Sequence, residues 1–328
     1  MNHFRSSIII TIIGLFIALY IGGFYAVYIT ALLAVLEVSL SFDNAVVNAK
    51  VLETMEEKWQ KRFITFGIPI AVFGMRFIFP VLIVSIASSM GFMEAFNLAL
   101  NEPEKYHHSL ESTKELIYAF GGSFLLMVFL DFFFDEDRED KWIKVIEDNR
   151  VTDKIGSVNN IELMFALMLG LVLVDKTGDA SIAMAYFGGV FLHSVISSLD
   201  ELLSTDGVRS GIMGFLYLEI LDASFSFDGV IGAFALSSDI FIIMIGLGIG
   251  AMFVRSLTLY FVEKKTLSEF RYLEHGAHYA ILALSLVMFI KMFFEVGEII
   301  VGTIGIGFIG LSLYHSIKEN KKEIENIN

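Results

Sequence analysis

Cysteine is absent from all 328 residues, so disulfides, thiolate metal centres and cysteine nucleophiles are excluded. Proline occurs only 3 times and charged residues make up only 18% of the chain, which excludes a disordered segment of any length and a Pro-rich linker. Bases are outnumbered by acids, 23 to 37, for a formal charge of −14. That balance excludes nucleic acid as a partner. No GxxxxGK[ST] run occurs, which argues against ATP-driven pumping. What remains is apolar: 55% of the residues are hydrophobic and 14% aromatic, in long runs broken by charge. This is the composition of a polytopic membrane protein, with the lipid bilayer as its main partner.

Reading apolar runs against charged breaks gives about ten spans. They lie near 7–25, 27–49, 63–89, 115–134, 160–175, 180–199, 212–236, 240–262, 276–294 and 299–316. Arg5 precedes the first, and no small-residue cleavage site follows it, so that helix is expected to be retained. Assigning Lys and Arg to alternating sides puts 17 of the 23 on the side of the N-terminus. Only Lys105, Lys114 and Lys176 fall on the other, while Arg76, Arg255 and Lys291 lie within spans. By the positive-inside rule both termini are cytoplasmic, which suits a multi-pass protein of the plasma (inner) membrane. The outer segment 91–113, with Glu94, Glu102, Glu104, His107, His108 and Glu111, reads as a solvated acidic loop. The inner segment 135–159 reads as a solvated surface helix of mixed charge.

One segment is repeated. LAVLEVSLSFDNAVV (33–47) aligns without gaps on LEILDASFSFDGVIG (218–232), with six identities in fifteen positions. Glu37 meets Asp222, Ser41 meets Ser226, and Asp43 meets Asp228, while Asn44 meets Gly229. Arg76 and Arg255 occupy the middle of the span that follows each copy. FLLMVFLDFFF (124–134) resembles LSLVMFIKMFF (284–294), setting Asp131 against Lys291. By the span order the two motif helices run in opposite directions. The predicted fold class is therefore an all-α polytopic membrane protein with an inverted 5+5 repeat, its halves near 7–175 and 180–316. Inverted repeats of this kind are common in secondary transporters, with sites near the midplane.

An ionisable group at the bilayer centre costs about 2.5–3.5 kcal/mol on insertion scales. Glu37, Asp43, Arg76, Asp222, Asp228 and Arg255 all lie well inside spans. Unpaired, the six together would cost on the order of 15–20 kcal/mol, above the ordinary net stability of a domain, about 5–15 kcal/mol. They must pair, bind something or line water. Four acids and two bases leave a formal −2, which a divalent cation would close. Carboxylate, hydroxyl and amide oxygens suit Mn²⁺, Mg²⁺ or Ca²⁺. The candidate metal set is Glu37, Ser41, Asp43, Asn44, Asp222, Ser226 and Asp228, with Arg76 and Arg255 as counter-charges. On an ideal helix Glu37, Ser41, Asn44 and Asn48 share one face, with Asp43 about 100° or more away. Either the whole arc faces the bundle interior, or each helix unwinds at S-x-S-F-D. Helix-gluing ion pairs are the plain alternative. His193 and Glu219 are ambiguous, and Asp131 and Lys291 sit near span ends.

The run LEVSLSFDNAVV, the second S-F-D and the later membrane arginine resemble the TerC family of tellurium-resistance membrane proteins. The likeness covers roughly 33–90 and 215–294, as in a divergent branch. The resemblance implies membership of a wider group of membrane exporters and a role in divalent-metal handling, notably manganese efflux. It implies Glu37, Asp43 and Asn44 as the first half of a metal site and Asp222 and Asp228 as the second. Gly229 in place of Asn44 leaves the second half one ligand short.

The expected function is therefore a secondary exporter of a divalent cation, Mn²⁺ first, and not an enzyme. A metal- or pH-responsive membrane scaffold is the alternative. An intramembrane aspartyl protease built on Asp43 and Asp228 is a third reading, but a G-x-G-D flank is missing.

Overall fold

The computed structural model describes residues 4–135, 138, 140–203, 211–234, 236, 237 and 239–327. The side chains at 64, 68, 71, 87, 151, 201, 227, 228, 298, 299 and 323–327 are outside that description. Among the described residues all regular structure is helical. The first half comprises α1 (Arg5–Leu40), α2 (Phe42–Glu53), α3 (Glu57–Pro69), a π-helical stretch (Ile70–Ile78), α4 (Phe79–Ala87), α5 (Phe92–Asn101) and α6 (Pro103–Phe134). Then follow α7 (Lys144–Glu147), α8 (Arg150–Gly156), α9 (Ile161–Thr177), α10 (Ala180–Leu203) and α11 (Gly211–Phe234). The chain ends with α12 (Ile240–Lys264), α13 (Thr266–Glu269), α14 (Leu273–Lys291) and α15 (Glu298–Ile327).

Among the described residues, six helices are long and apolar enough to cross a membrane: α1, α6, α10, α12, α14 and α15. The bent segment from α3 to α4 is a seventh if taken as one span. The chain is an all-helical polytopic membrane protein. The apolar window of α6 is 78% buried and that of α1 only 17%, so α6 is central and α1 peripheral. Phe16, Tyr20, Phe24 and Tyr28 of α1 are accordingly exposed, as lipid-facing side chains are.

α1 is two helical arms joined across a kink, its backbone being non-helical at Gly22 and Gly23. Gly23 has φ +66°, which a side chain would strain. The contacts with α12 show what the break does. Ser7 donates to the Met252 carbonyl at 2.9 Å, Gly14 lies against Ile249, and Gly22 against Ile242. Beyond the break the order reverses, with Leu33 against Gly246 and Glu37 against Gly250. The chain therefore descends along α12, turns at the two glycines and climbs back. This places the first motif beside α12.

Pro69 ends α3, because its ring carries no N–H and crowds the preceding turn. The nine residues that follow are wound as a π-helix, which carries Arg76. Such wide turns inside helices mark functional positions more often than ordinary helix does.

Two segments differ from the sequence reading. The stretch 91–113 is helical rather than a loop: it forms α5 and the first turns of α6. Ala95, Ala99, Tyr106, Leu110 and Thr113 are buried at helical spacing, so its acids occupy only the outer face. The stretch 135–159 is not simply solvated either. Glu147 is buried, and its carboxylate accepts bonds from the backbone N–H of Trp142 and Ile143, each at 3.1 Å. Tyr279 Oη donates to it at 3.0 Å and Arg138 at 3.2 Å, with His275 Nε2 3.4 Å away. Trp142 Nε1 bonds His315 Nδ1 at 2.8 Å, tying the same loop to α15.

Burial alone would raise the Glu147 pKa. The bonds from His275 and Ile143 and the charges of His275 and Arg138 outweigh it and hold the carboxyl down at about 2, against an ordinary 4.5. A depressed carboxyl stabilises the loop fully above the ordinary value, and that contribution is lost as pH falls through the folded one. Glu147→Ala is expected to raise amide exchange across residues 140–148 by about tenfold or more at neutral pH. The wild-type loop should stay protected until the pH falls below about 4.5 and open as it nears 2. Unchanged exchange in the variant would contradict the anchoring.

Candidate functional site

The two motif helices meet in the middle of the bundle. Glu37 lies against Gly229, Asn44 and Asn48 bond Asp222, Met55 lies against Gly214, and Trp59 against Gly211. Numbers rise on one strand of the contact as they fall on the other. The limb from α1 into α2 thus runs antiparallel to α11.

The first acid of each motif is engaged by an arginine from the span that follows it. Arg76 Nη2 forms an ion pair with Glu37 Oε1, which also accepts from Ser41 Oγ at 3.1 Å. Arg255 Nη2 donates to Asp222 Oδ2 at 3.1 Å. Asp222 Oδ1 accepts from Asn44 Nδ2 at 2.8 Å and Asn48 Nδ2 at 2.7 Å. These side chains are all buried. Arg255 is held on its other side, donating from Nη1 to the Phe63 carbonyl at 2.9 Å and lying 4.0 Å above the Phe63 ring. Gly67 makes this possible, since a side chain there would overlap the guanidinium.

Asn44, Asn48, Asp222, Arg76 and Arg255 enclose a polar cavity of about 10 Å³, closed by Phe63 and Thr258 among others. That volume holds one water-sized occupant. Asn44 Oδ1 and Asn48 Oδ1 are buried and have no hydrogen-bond donor among the described residues. Both amides give their N–H groups to Asp222, so their oxygens are left to accept a hydrogen bond or to face a cation.

The remaining candidates fall elsewhere. Asp43 is buried, but it lines a different small cavity with Ser39 and residues of α14 and α15, among them Leu284 and Gly302. Asp43 lies in the first turn of α2, where a carboxylate faces the free backbone N–H groups of the helix start. Helical phase explains the separation: Asn44 and Asn48 face Asp222 while Asp43 points past them. Ser226 is buried one turn beyond Asp222, and its Oγ has no hydrogen-bond partner among the described residues. Asp228 lies on α11, and its side chain is outside the described residues. Among the described residues no three His, Asp or Glu side chains stand where they could hold a metal ion together.

The backbone is interrupted in only one of the two motifs. Ser41, at φ −111° and ψ 18°, separates α1 from α2. The second motif runs through α11 without a break. Two residues join the site that the candidate set omitted: Asn48 and Glu219. Asn48 was legible as the i+4 neighbour of Asn44, and Glu219 as the i−3 neighbour of Asp222. Glu219 is buried, 3.6 Å from Arg255 Nη2.

Asn48→Leu removes one of two donors on a buried carboxylate oxygen. It is expected to cost about 1–2 kcal/mol in unfolding measurements. An unaltered stability would show that the amide–carboxylate contact contributes nothing. A family model described as Protein of unknown function (DUF475) matches residues 42–323, and the chain belongs to that family. No curated protein and no solved structure matches it.

Proposed function

We propose that this DUF475-family chain is a membrane transporter for a divalent cation, with the paired motifs as its site. The observation that carries this reading is the small polar cavity between antiparallel motif helices, lined by the Asp222–Arg255 pair, by Arg76 and by two amides whose oxygens have no donor among the described residues. A protein that needed only stability would gain more from apolar packing there. Acids compensated by arginines are poised to exchange that partner for a cation.

The ten-span, 5+5 inverted arrangement belongs to the same proposal. The motif helices run antiparallel, as do α6 and α14. On that second pair, Gly122 bonds Ser285, Phe129 packs on Tyr279, and Phe132 stacks on His278. A twofold axis in the membrane plane would relate Glu37–Arg76 to Asp222–Arg255. Both termini would be cytoplasmic, in a plasma membrane, with halves near 7–175 and 180–316. Mn²⁺ is the leading substrate, from oxygen ligands and the TerC-like signature, with Mg²⁺ or Ca²⁺ sharing the ligand chemistry.

Flux into sealed vesicles tests this. Wild-type protein is expected to carry Mn²⁺ well above empty vesicles, and Asp222→Asn to lower the rate by at least about tenfold. Bound Mn²⁺ without net flux would leave the scaffold reading in place. Equal flux in the variant would remove Asp222 from the pathway.

A further inference from the structure

We infer that the two half-sites do different work: Asp222 binds the cation by handing Arg255 to Glu219, and the first motif lacks the residues for such a hand-over. This rests on the transport reading and specifies where in the paired motifs the cation sits.

The asymmetry lies in the residues around each acid. Around Asp222 are Asn44, Asn48 and, one turn earlier on α11, Glu219. In the register that aligns the motifs, the residues corresponding to Asn44, Asn48 and Glu219 are Gly229, Ala233 and Ala34. None of these carries a polar side chain. Gly229 stands beside Glu37 Oε2, where an asparagine would otherwise reach. In that register the Glu37 half-site therefore has no counterpart of the amide pair or of Glu219.

Arg255 is placed to move. Its Nη2 is 3.1 Å from Asp222 Oδ2 and 3.6 Å from Glu219 Oε1, so it lies between two carboxylates and is bonded to one. Neither Glu219 oxygen has a hydrogen-bond partner among the described residues, although the side chain is more than nine-tenths buried. The Phe63 carbonyl and ring hold the other edge of the guanidinium. A small swing about that anchor transfers Nη2 from Asp222 to Glu219. Asp222 Oδ2 is then free for a cation, and Asn44 Oδ1 and Asn48 Oδ1 supply neutral oxygen ligands beside it. One carboxylate and two amide carbonyls form a hard-oxygen set that suits a small divalent ion. In the register that aligns the motifs Ala34 stands where Glu219 does, so the first motif carries no counterpart of the receiving acid. Glu219 is thus a positioning residue that acts on the cation through Arg255.

Titration of the purified full chain with Mn²⁺, read by calorimetry, tests the hand-over with three variants. Glu219→Gln leaves Arg255 no alternative to Asp222, so the apparent Kd should rise by about tenfold or more. Adding Arg255→Gln to Glu219→Gln removes the competing charge and should return the Kd to near the wild-type value. A direct metal ligand or a purely structural acid would give no such rescue. An unchanged Kd in Glu219→Gln, or a double variant as weak as the single, overturns the hand-over while the transport reading stands. If wild type and Asp222→Asn bind Mn²⁺ alike, or neither binds it, the site itself fails and both readings fall together.

Discussion

A low-dielectric interior does not tolerate an ionised side chain without an opposite charge, and that constraint arranges the centre of this bundle. Glu37, Asp222 and Glu219 are compensated by Arg76 and Arg255, all buried. Each contact forces two helices together at a defined height. The α1–α2 limb is tied to the π-helical segment, and α11 to α12 and to the end of α3. The amides of Asn44 and Asn48 then bridge the two motif helices. Apolar packing fills the space around this skeleton but does not set its register, since lipid and core are nearly alike to a leucine.

Several local features follow from that requirement. The reversal at Gly22–Gly23 brings Glu37 back along α12, where Gly250 allows its close approach. The π-helical turns after Pro69 carry Arg76 to Glu37. Gly67 leaves room for the Arg255 guanidinium to reach the Phe63 carbonyl. At the loop side of α14, Glu147 repeats the principle on a smaller scale, with Arg138, His275, Tyr279 and two backbone amides around one carboxylate.

Much of this was legible in the chain. The apolar stretches read as spans lie mostly in helices, and six helices among the described residues are long and apolar enough to cross a membrane, where only internal bonding satisfies the backbone. The duplicated S-F-D segments pointed to the two helices that cross, and the mid-span arginines to the partners of Glu37 and Asp222. What sequence could not convey was which face of each motif helix meets the other. Asp43 lies in the motif yet faces α14 and α15, whereas Asn48 lies at its edge and reaches Asp222. Helical phase permits both outcomes, and only packing chooses. The segments 91–113 and 135–159 were misread for a related reason. Their charges dominate the composition, while a few buried residues, Tyr106 and Glu147 among them, decide the structure.

The most direct test of the pairing is a double-mutant cycle on stability in a bilayer mimetic, using Asp222→Asn and Arg255→Gln in a Glu219→Gln background, so that Arg255 has Asp222 as its carboxylate partner. Either change alone strands a buried charge and should cost about 3–5 kcal/mol. Together they strand none, so the double variant should be more stable than either single one. Costs that simply add would contradict the pairing, and with it the constraint on which the centre of the fold is built.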